Sequence, residues 1–486
     1  MKGVLISCRE RLQKAVKWLY PGLGVKRYLL LTLAGLFLLM SGLFFFWRRG
    51  IVSREKAELL LELLEGFFLH PLWGVLLLVL GAVLLFWGLH QTGKAVAGVL
   101  LPDHSRSLIE KLYTRRYLER GPKIVALGGG TGLSVLIRGL KEYTSNITAV
   151  VTVTDDGGSS GRLRGEMGVL PPGDLRDCLL ALADTESLLE QLFQYRFPRS
   201  EGLGGHNFGN LFIVAMAEML GFNRAMQEFN KVLAIRGTVL PVTLEQVTLR
   251  AVFKDGSTAA GETKIVQEGK RIESITLCPP DCRPLPRVLS AIDEADAIIL
   301  GPGSLYTSVL PNLLVPGVRE ALAKAAAPCL YVCNIMTQPG ETEGLSAAEH
   351  LEVLFRHGCT GLIDSIVVNN STDLPPVLAE KYQKEGALPV EVDHKALAQW
   401  NVKVMEAPLL DHNEAVRHDS KKLAALLLNE LAGRETGLDG LWAYTLANLN
   451  GNLRRARKEM GVPAGNPLAT THKKLKRIFK HAFRKA

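Results

Sequence analysis

Residues 123–132 read Lys-Ile-Val-Ala-Leu-Gly-Gly-Gly-Thr-Gly, and residues 133–140 continue Leu-Ser-Val-Leu-Ile-Arg-Gly-Leu. The apolar run Lys123–Leu127, closed by glycines, predicts a short buried strand. Beyond it Leu133, Leu136, Ile137 and Leu140 recur at i, i+3, i+4 and i+7, the repeat of one helix face. A strand that hands over to a helix through glycine exposes backbone N–H groups at the positive end of the helix dipole. The loop Gly128-Gly129-Gly130-Thr131-Gly132 therefore suits a phosphate. It is neither a dinucleotide fingerprint, whose third glycine position falls on Leu133 or Val135, nor a Walker A loop, since no Gly-Lys-Ser/Thr follows.

Outward from this unit, strand and helix alternate. Ile147–Thr154 is a β-branched run, Leu175–Leu192 a helical one after Leu170-Pro171-Pro172-Gly173-Asp174, and Phe208–Leu220 another helix. Residues 238–277 alternate Val, Thr, Leu and Ile around Asp255-Gly256 and Glu268-Gly269, which predicts an antiparallel insertion. Ala297–Leu300 is a strand ending in a second glycine loop, Gly301-Pro302-Gly303-Ser304. Leu330–Asn334 and Ile363–Asn369 are further core strands running into polar residues, Thr337–Thr342 and Asn369–Ser371. The expected fold is a doubly wound, mostly parallel Rossmann-like α/β sheet over residues 123–432, with ligands outside the carboxyl ends of the strands.

The flanks differ from this domain. Residues 1–122 hold 17 basic and 8 acidic residues and residues 434–486 hold 12 and 3, so each end carries +9, whereas residues 123–433 carry 28 and 37. A basic nucleic-acid surface on the central domain loses its support, and no nucleic-acid partner is expected. The spans 28–47 and 67–89 contain no Asp, Glu, Lys or Arg and are long enough to cross a hydrocarbon core of about 30 Å. Basic residues flank both, which places the two ends and the main domain on the cytoplasmic side of a cell membrane. The expected order is a basic N-terminus (1–27), a transmembrane hairpin (28–89), a juxtamembrane linker (90–122), the α/β domain (123–432) and a basic tail (433–486). In the tail Leu475, Ile478, Phe479, Ala482 and Phe483 form an apolar helical face suited to anionic lipid. The seven cysteines, odd in number and scattered, read as buried thiols rather than a zinc site.

The chemistry concentrates after the second strand. Asp155-Asp156-Gly157-Gly158 is either a tight turn or a carboxylate pair for Mg²⁺, and Arg162 and Arg164 beyond it are placed to fork onto a diphosphate. Asn207 and Asn210 either reach a ligand or cap the helix they open.

Five motifs in order resemble the bacterial gluconeogenesis factor family: Gly128–Gly132, Thr154–Arg164, Pro171–Asp174, Gly205–Asn210 and Gly301–Ser308. That family shares its fold with the 2-phospho-L-lactate transferases. The resemblance implies a nucleotide site built on the glycine loop, Gly303 and Ser304, with Tyr382 against a base or sugar and Arg417 on a diphosphate. It implies a regulator that binds a nucleotide diphosphate sugar such as UDP-N-acetylglucosamine and links cell shape and wall synthesis to carbon supply. The alternative it implies is a phosphotransferase in which Asp155 and Asp156 are catalytic and hold Mg. NAD is not expected. The expected partners are the nucleotide sugar, the lipid bilayer and proteins of wall synthesis, and homo-oligomerisation stays open.

Overall fold

The computed structural model describes residues 25–48, 71–100, 118–184, 187–198, 202–371, 374–411 and 415–433. The chain divides into two compact units, residues 1–115 and 116–486. The basic N-terminus before residue 25, the loop 49–70, most of the linker and the basic tail with its amphipathic stretch lie outside the described residues.

In the first unit the helices Val25–Arg48 and Pro71–Leu100 pair. They meet at glycines: a Cβ on Gly35 would lie 2.6 Å from the Leu85 nitrogen and 2.9 Å from the Gly81 oxygen, so backbone approaches backbone with no room for a side chain. Side chains are described for 30–41 and 75–91, and among them Phe37 and Phe86 are 72% and 77% exposed. Among the described residues no helix is long and apolar enough to cross a membrane. The pair of helices is present, and the expectation of spanning segments at 28–47 and 67–89 is not borne out.

The second unit contains twelve strands among its described residues: β1 (Ile124–Gly128), β2 (Ile147–Val151), β3 (Thr238–Pro241), β4 (Thr248–Phe253), β5 (Thr258–Ala260), β6 (Ile272–Cys278), β7 (Ala297–Leu300), β8 (Cys329–Val332), β9 (Ser365–Asn369), β10 (Lys403–Ala407), β11 (Leu410–Asp411) and β12 (Arg417–His418). Seven of them form one sheet in the order β10-β9-β8-β7-β1-β2-β3, parallel throughout. Both faces are covered, as an all-parallel sheet requires. Val125, Leu127, Ile298 and Leu300 pack into one core, Ile124, Ala126, Ala297 and Ile299 into the other, following the two-residue period of a strand. The helix Gly130–Leu140 buries Leu133, Leu136, Ile137 and Leu140 against the second core, as their spacing predicts.

Three sequence expectations need correction. β3 belongs to the parallel sheet, paired with β2, so the antiparallel insertion is narrower and consists of β5-β4-β6. The helix expected over Leu175–Leu192 is two, Pro172–Leu182 and Ser187–Gln194, because Ala183 leaves the helical region at ψ 146°. Cys278 is exposed, while Cys178, Cys282, Cys329, Cys333 and Cys359 are buried as expected.

The order of strands reverses between β1 and β7, which lie side by side. Helices on either side of such a switch point leave in opposite directions, and the gap outside the two strand ends is where an open α/β sheet can admit a ligand.

Candidate functional site

At the end of β1 the chain turns through Gly129, in extended conformation, and Gly130, at φ +61°, directly into the helix Gly130–Leu140. Gly129 gives the helix no side-chain cap, and although Asp174 takes the Gly130 N–H, the following first-turn N–H groups remain available to an outside acceptor. The two glycine loops press together. A Cβ on Gly132 would lie 2.5 Å from the Pro302 oxygen and 2.9 Å from the Gly303 nitrogen. Glycine is demanded here by the neighbouring loop rather than by a left-handed φ.

A cleft of about 430 Å³ opens over this junction, a size that suits a small-molecule ligand. Gly129 to Gly132 form one side, and Gly303 and Ser304 the other. Tyr382, from the helix Pro376–Lys384, and Arg417, from β12, close it. Tyr382 is fixed by the Val416 N–H, which donates to its hydroxyl at 3.1 Å. Arg417 is exposed and lines the cleft. Residues far apart in sequence, proposed for the same ligand, thus line the same space.

Other predicted residues lie elsewhere. Asp155 Oδ1 accepts from the Gly157 N–H at 2.9 Å, and Asp156 Oδ1 accepts from both the N–H (2.9 Å) and hydroxyl (2.7 Å) of Thr263 in the insertion. The two carboxylates therefore serve different partners. Arg164 donates to the carbonyls of Thr154 and Val247 and to Thr248 Oγ1, and Arg162 donates to the Gly204 carbonyl at 2.9 Å. Asn207 caps its helix, accepting from the Asn210 N–H at 3.2 Å, while Asn210 accepts from Arg176 at 2.6 Å and donates to Ser159 Oγ. None of these six lines the cleft, and their polar groups hold the loop after β2 to its surroundings. Among the described residues no group of three or more His, Cys, Asp or Glu side chains converges as a metal site.

Several lining or supporting residues carry a weaker sequence signal. Asn334 brackets Gly303, with Oδ1 accepting its N–H at 3.2 Å and Nδ2 donating to its carbonyl at 2.8 Å. Gln338, in the polar cluster after β8, donates to Ser304 Oγ at 2.8 Å. Asn312 donates to the Gly128 and Ser308 carbonyls at 3.0 and 2.7 Å, tying the end of β1 to the turn after β7. His418 lines the cleft with a buried Nε2 that has no hydrogen-bond partner. Burial pushes its pKa down to about 4, so the ring is neutral.

Acidic groups crowd behind the loop. Asp174 accepts the Gly130 backbone N–H, yet burial, then Asp155 and Asp177, push its pKa up to about 7. Burial followed by Asp155 and Asp174 pushes Glu262 up to about 9. Glu341, raised to about 7 mainly by burial, accepts from Thr307 Oγ1 at 3.2 Å. A ligand with negative charge has to sit forward, on the helix N-terminus and Arg417, away from these carboxylates.

Comparison with known proteins follows the same boundaries. The family model described as 2-phospho-L-lactate transferase CofD matches residues 124–410. A Nostoc protein described as a putative gluconeogenesis factor is 46% identical over 439 residues, covering 88% of this chain and 95% of its own length. The Bacillus subtilis gluconeogenesis factor is 49% identical over 312 residues, 64% of this chain and 98% of that protein. A crystal structure of a Bacillus halodurans protein superposes with TM-score 0.62 at 46% identity, covering 63% of this chain and 99% of that one.

Proposed function

The chain belongs to the gluconeogenesis factor family, with a domain of the 2-phospho-L-lactate transferase CofD type, and on that premise we propose that its cleft binds a nucleotide diphosphate sugar, UDP-N-acetylglucosamine foremost, as a regulatory ligand. The observation that carries the reading is the convergence of the Gly129–Gly132 loop, Gly303, Ser304, Tyr382 and Arg417 on one cleft at the switch between β1 and β7. The first-turn N–H groups beyond Gly130 receive the diphosphate, Arg417 neutralises it, and Tyr382 offers a ring to the base or sugar. The downstream role in this reading is control of cell shape and wall synthesis with carbon supply. The membrane tether in this reading rests on the uncharged sequence spans 28–47 and 67–89, since among the described residues no helix is long and apolar enough to cross a membrane. Alkaline carbonate extraction of cell membranes tests the tether, and release of the chain into the supernatant contradicts it.

Calorimetric titration of the full chain with UDP-N-acetylglucosamine should give saturable binding. Arg417→Ala should weaken it by about tenfold, the loss of one charge-assisted pair. Absence of saturable binding to any UDP-sugar overturns the reading.

A second reading, a phosphotransferase taking a nucleotide-activated donor, is favoured by the family match over residues 124–410. Against it, the Oδ1 atoms of Asp155 and Asp156 already accept from Gly157 and Thr263, and among the described residues no group of three or more His, Cys, Asp or Glu side chains converges. Consumption of a nucleotide-activated donor by the purified chain supports this alternative, and failure to consume any counts against it.

A further inference from the structure

The second glycine loop leads into a helical stretch, Leu305–Val309 followed by Leu310–Leu314, whose own start is already filled. Glu341, from the loop after β8, accepts the Tyr306 and Thr307 backbone N–H groups, so a carboxylate of the protein itself takes the place open to an anion at a helix start. The Ser308 and Val309 N–H groups both donate to the Ser304 carbonyl at 2.9 Å. Residues 306–309 therefore keep no backbone donor for a ligand.

The hydroxyls of this turn are not all committed in the same way. Ser304 Oγ accepts from Gln338 at 2.8 Å and donates to Glu341, and Thr307 Oγ1 donates to Glu341 at 3.2 Å. Ser308 differs. Its N–H and carbonyl are bonded to Ser304 and Asn312, but its hydroxyl makes no hydrogen bond among the described residues. The residue is 8% exposed and lines the cleft over the glycine loops, and its Oγ is not one of the unpartnered polar atoms sealed from solvent. The free hydroxyl therefore opens into the cleft.

Position gives that hydroxyl its use. A Cβ on Gly129 and a Cβ on Gly303 would each lie 3.4 Å from the Ser308 Cβ, so this side chain stands between the two glycine loops. Gly129 is the residue from which the helix Gly130–Leu140 starts, and the first-turn N–H groups beyond Gly130 are free. A half-hidden hydroxyl that nothing in the fold satisfies, next to free backbone donors, calls for an acceptor common to both. A phosphate oxygen is such an acceptor. We propose that Ser308 is a ligand-binding residue of this cleft, its hydroxyl donating to a phosphate oxygen of the diphosphate at the junction of the two glycine loops. The assignment rests on the nucleotide-sugar reading above and deepens it. Ser304, the hydroxyl named from the sequence, holds the loop, and Ser308 holds the ligand.

Calorimetric titration of the full chain and of its Ser308→Ala variant, with UDP-N-acetylglucosamine and with UDP, tests this. The variant should bind both about tenfold more weakly, the size of one hydrogen bond to a charged group. Its melting temperature should not fall, because the removed hydroxyl has no partner in the fold. Unchanged affinity in Ser308→Ala overturns the proposal and leaves the nucleotide-sugar reading standing, whereas absence of binding to the unaltered chain overturns that reading itself. A lowered melting temperature would make the loss structural and also overturns the proposal. So does a loss confined to the sugar nucleotide, or an unaltered chain that binds the sugar nucleotide and not UDP, either of which would place the hydroxyl on the sugar. Ser304→Ala supplies the contrast and should lower the melting temperature, since its bonds to Gln338 and Glu341 are lost. A tenfold loss of affinity in Ser304→Ala at undiminished stability, with none in Ser308→Ala, would return the role to Ser304.

Discussion

The Asn334 side chain holds Gly303 from both sides of its peptide unit, accepting from the N–H at 3.2 Å and donating to the carbonyl at 2.8 Å. A backbone segment lining a ligand cleft, with no sheet partner of its own, is thereby given a defined position. Truncation to Asn334→Ala leaves both Gly303 groups to find other partners, at a cost of about 1–3 kcal/mol in stability. The expected result is a lower denaturation midpoint and a raised Kd for UDP-N-acetylglucosamine. An unchanged Kd would show that Gly303 keeps its place without the bracket.

Two helical glycines should respond oppositely to the same change. Alanine is favoured over glycine in helices by about 1 kcal/mol, and at Gly165, in the helix Gly158–Met167, nothing lies within 4 Å of the added Cβ. Gly165→Ala should therefore raise the melting temperature. At Gly132 the methyl meets the Pro302 carbonyl and the Gly303 nitrogen, and Gly132→Ala should lower the melting temperature and impair nucleotide-sugar binding. Thermal denaturation of the two variants side by side decides the matter.

Arg164 should prove structural. Its guanidinium joins the Thr154 carbonyl to Val247 and Thr248 at the start of the insertion. Arg164→Ala should cost about 2 kcal/mol in urea denaturation, the range for hydrogen bonds to a charged group, and change the Kd for UDP-N-acetylglucosamine little. A large change in Kd at undiminished stability would return Arg164 to the ligand.

The contributions of Asp174 and Glu341 to stability should fall as pH rises from about 4 to about 7, against the opposite trend of the buried His418, whose pKa is lowered to about 4. Asp174 is raised from 3.8 to about 7 in the fold and Glu341 from 4.5 to about 7. In this window the unfolded chain has released these protons and the folded chain still holds them, so raising the pH favours unfolding. The contribution is complete below the unfolded values and lost once pH passes the folded ones. Asp174→Asn, which retains an acceptor for the Gly130 N–H, should flatten the decline in a series of denaturation curves. A slope identical to that of the unaltered chain would assign the effect elsewhere.

The parts of the fold that were legible in sequence are those whose pattern is local. β1, the glycine loop and its helix follow from a short apolar run, punctuation and a face of Leu and Ile. β3 was misassigned because Thr238-Val-Leu-Pro reads equally as a hairpin strand, and only pairing with β2, far away in sequence, places it in the parallel sheet. The site divides in the same way. Glycines and the residues of the family motifs were visible, but whether a polar side chain faces ligand or backbone depends on distant partners. Asp156 meets Thr263 across 107 positions, and Asn312 meets Gly128 across 184. Asn334 ends a core strand as a polar residue, and that position was its only local signal.

The inserted sheet is stitched to the body by groups on both sides. Asp156 bonds Thr263, Arg164 bonds Val247 and Thr248, Tyr306 bonds Ile272, and His357 accepts the Ile275 N–H at 3.1 Å. Excising it would strand a carboxylate, a guanidinium, a phenol and an imidazole at once. Domain grafting or loop shortening must therefore treat β4 to β6 as part of the indivisible unit, and a relative lacking them would need those four positions rebuilt together.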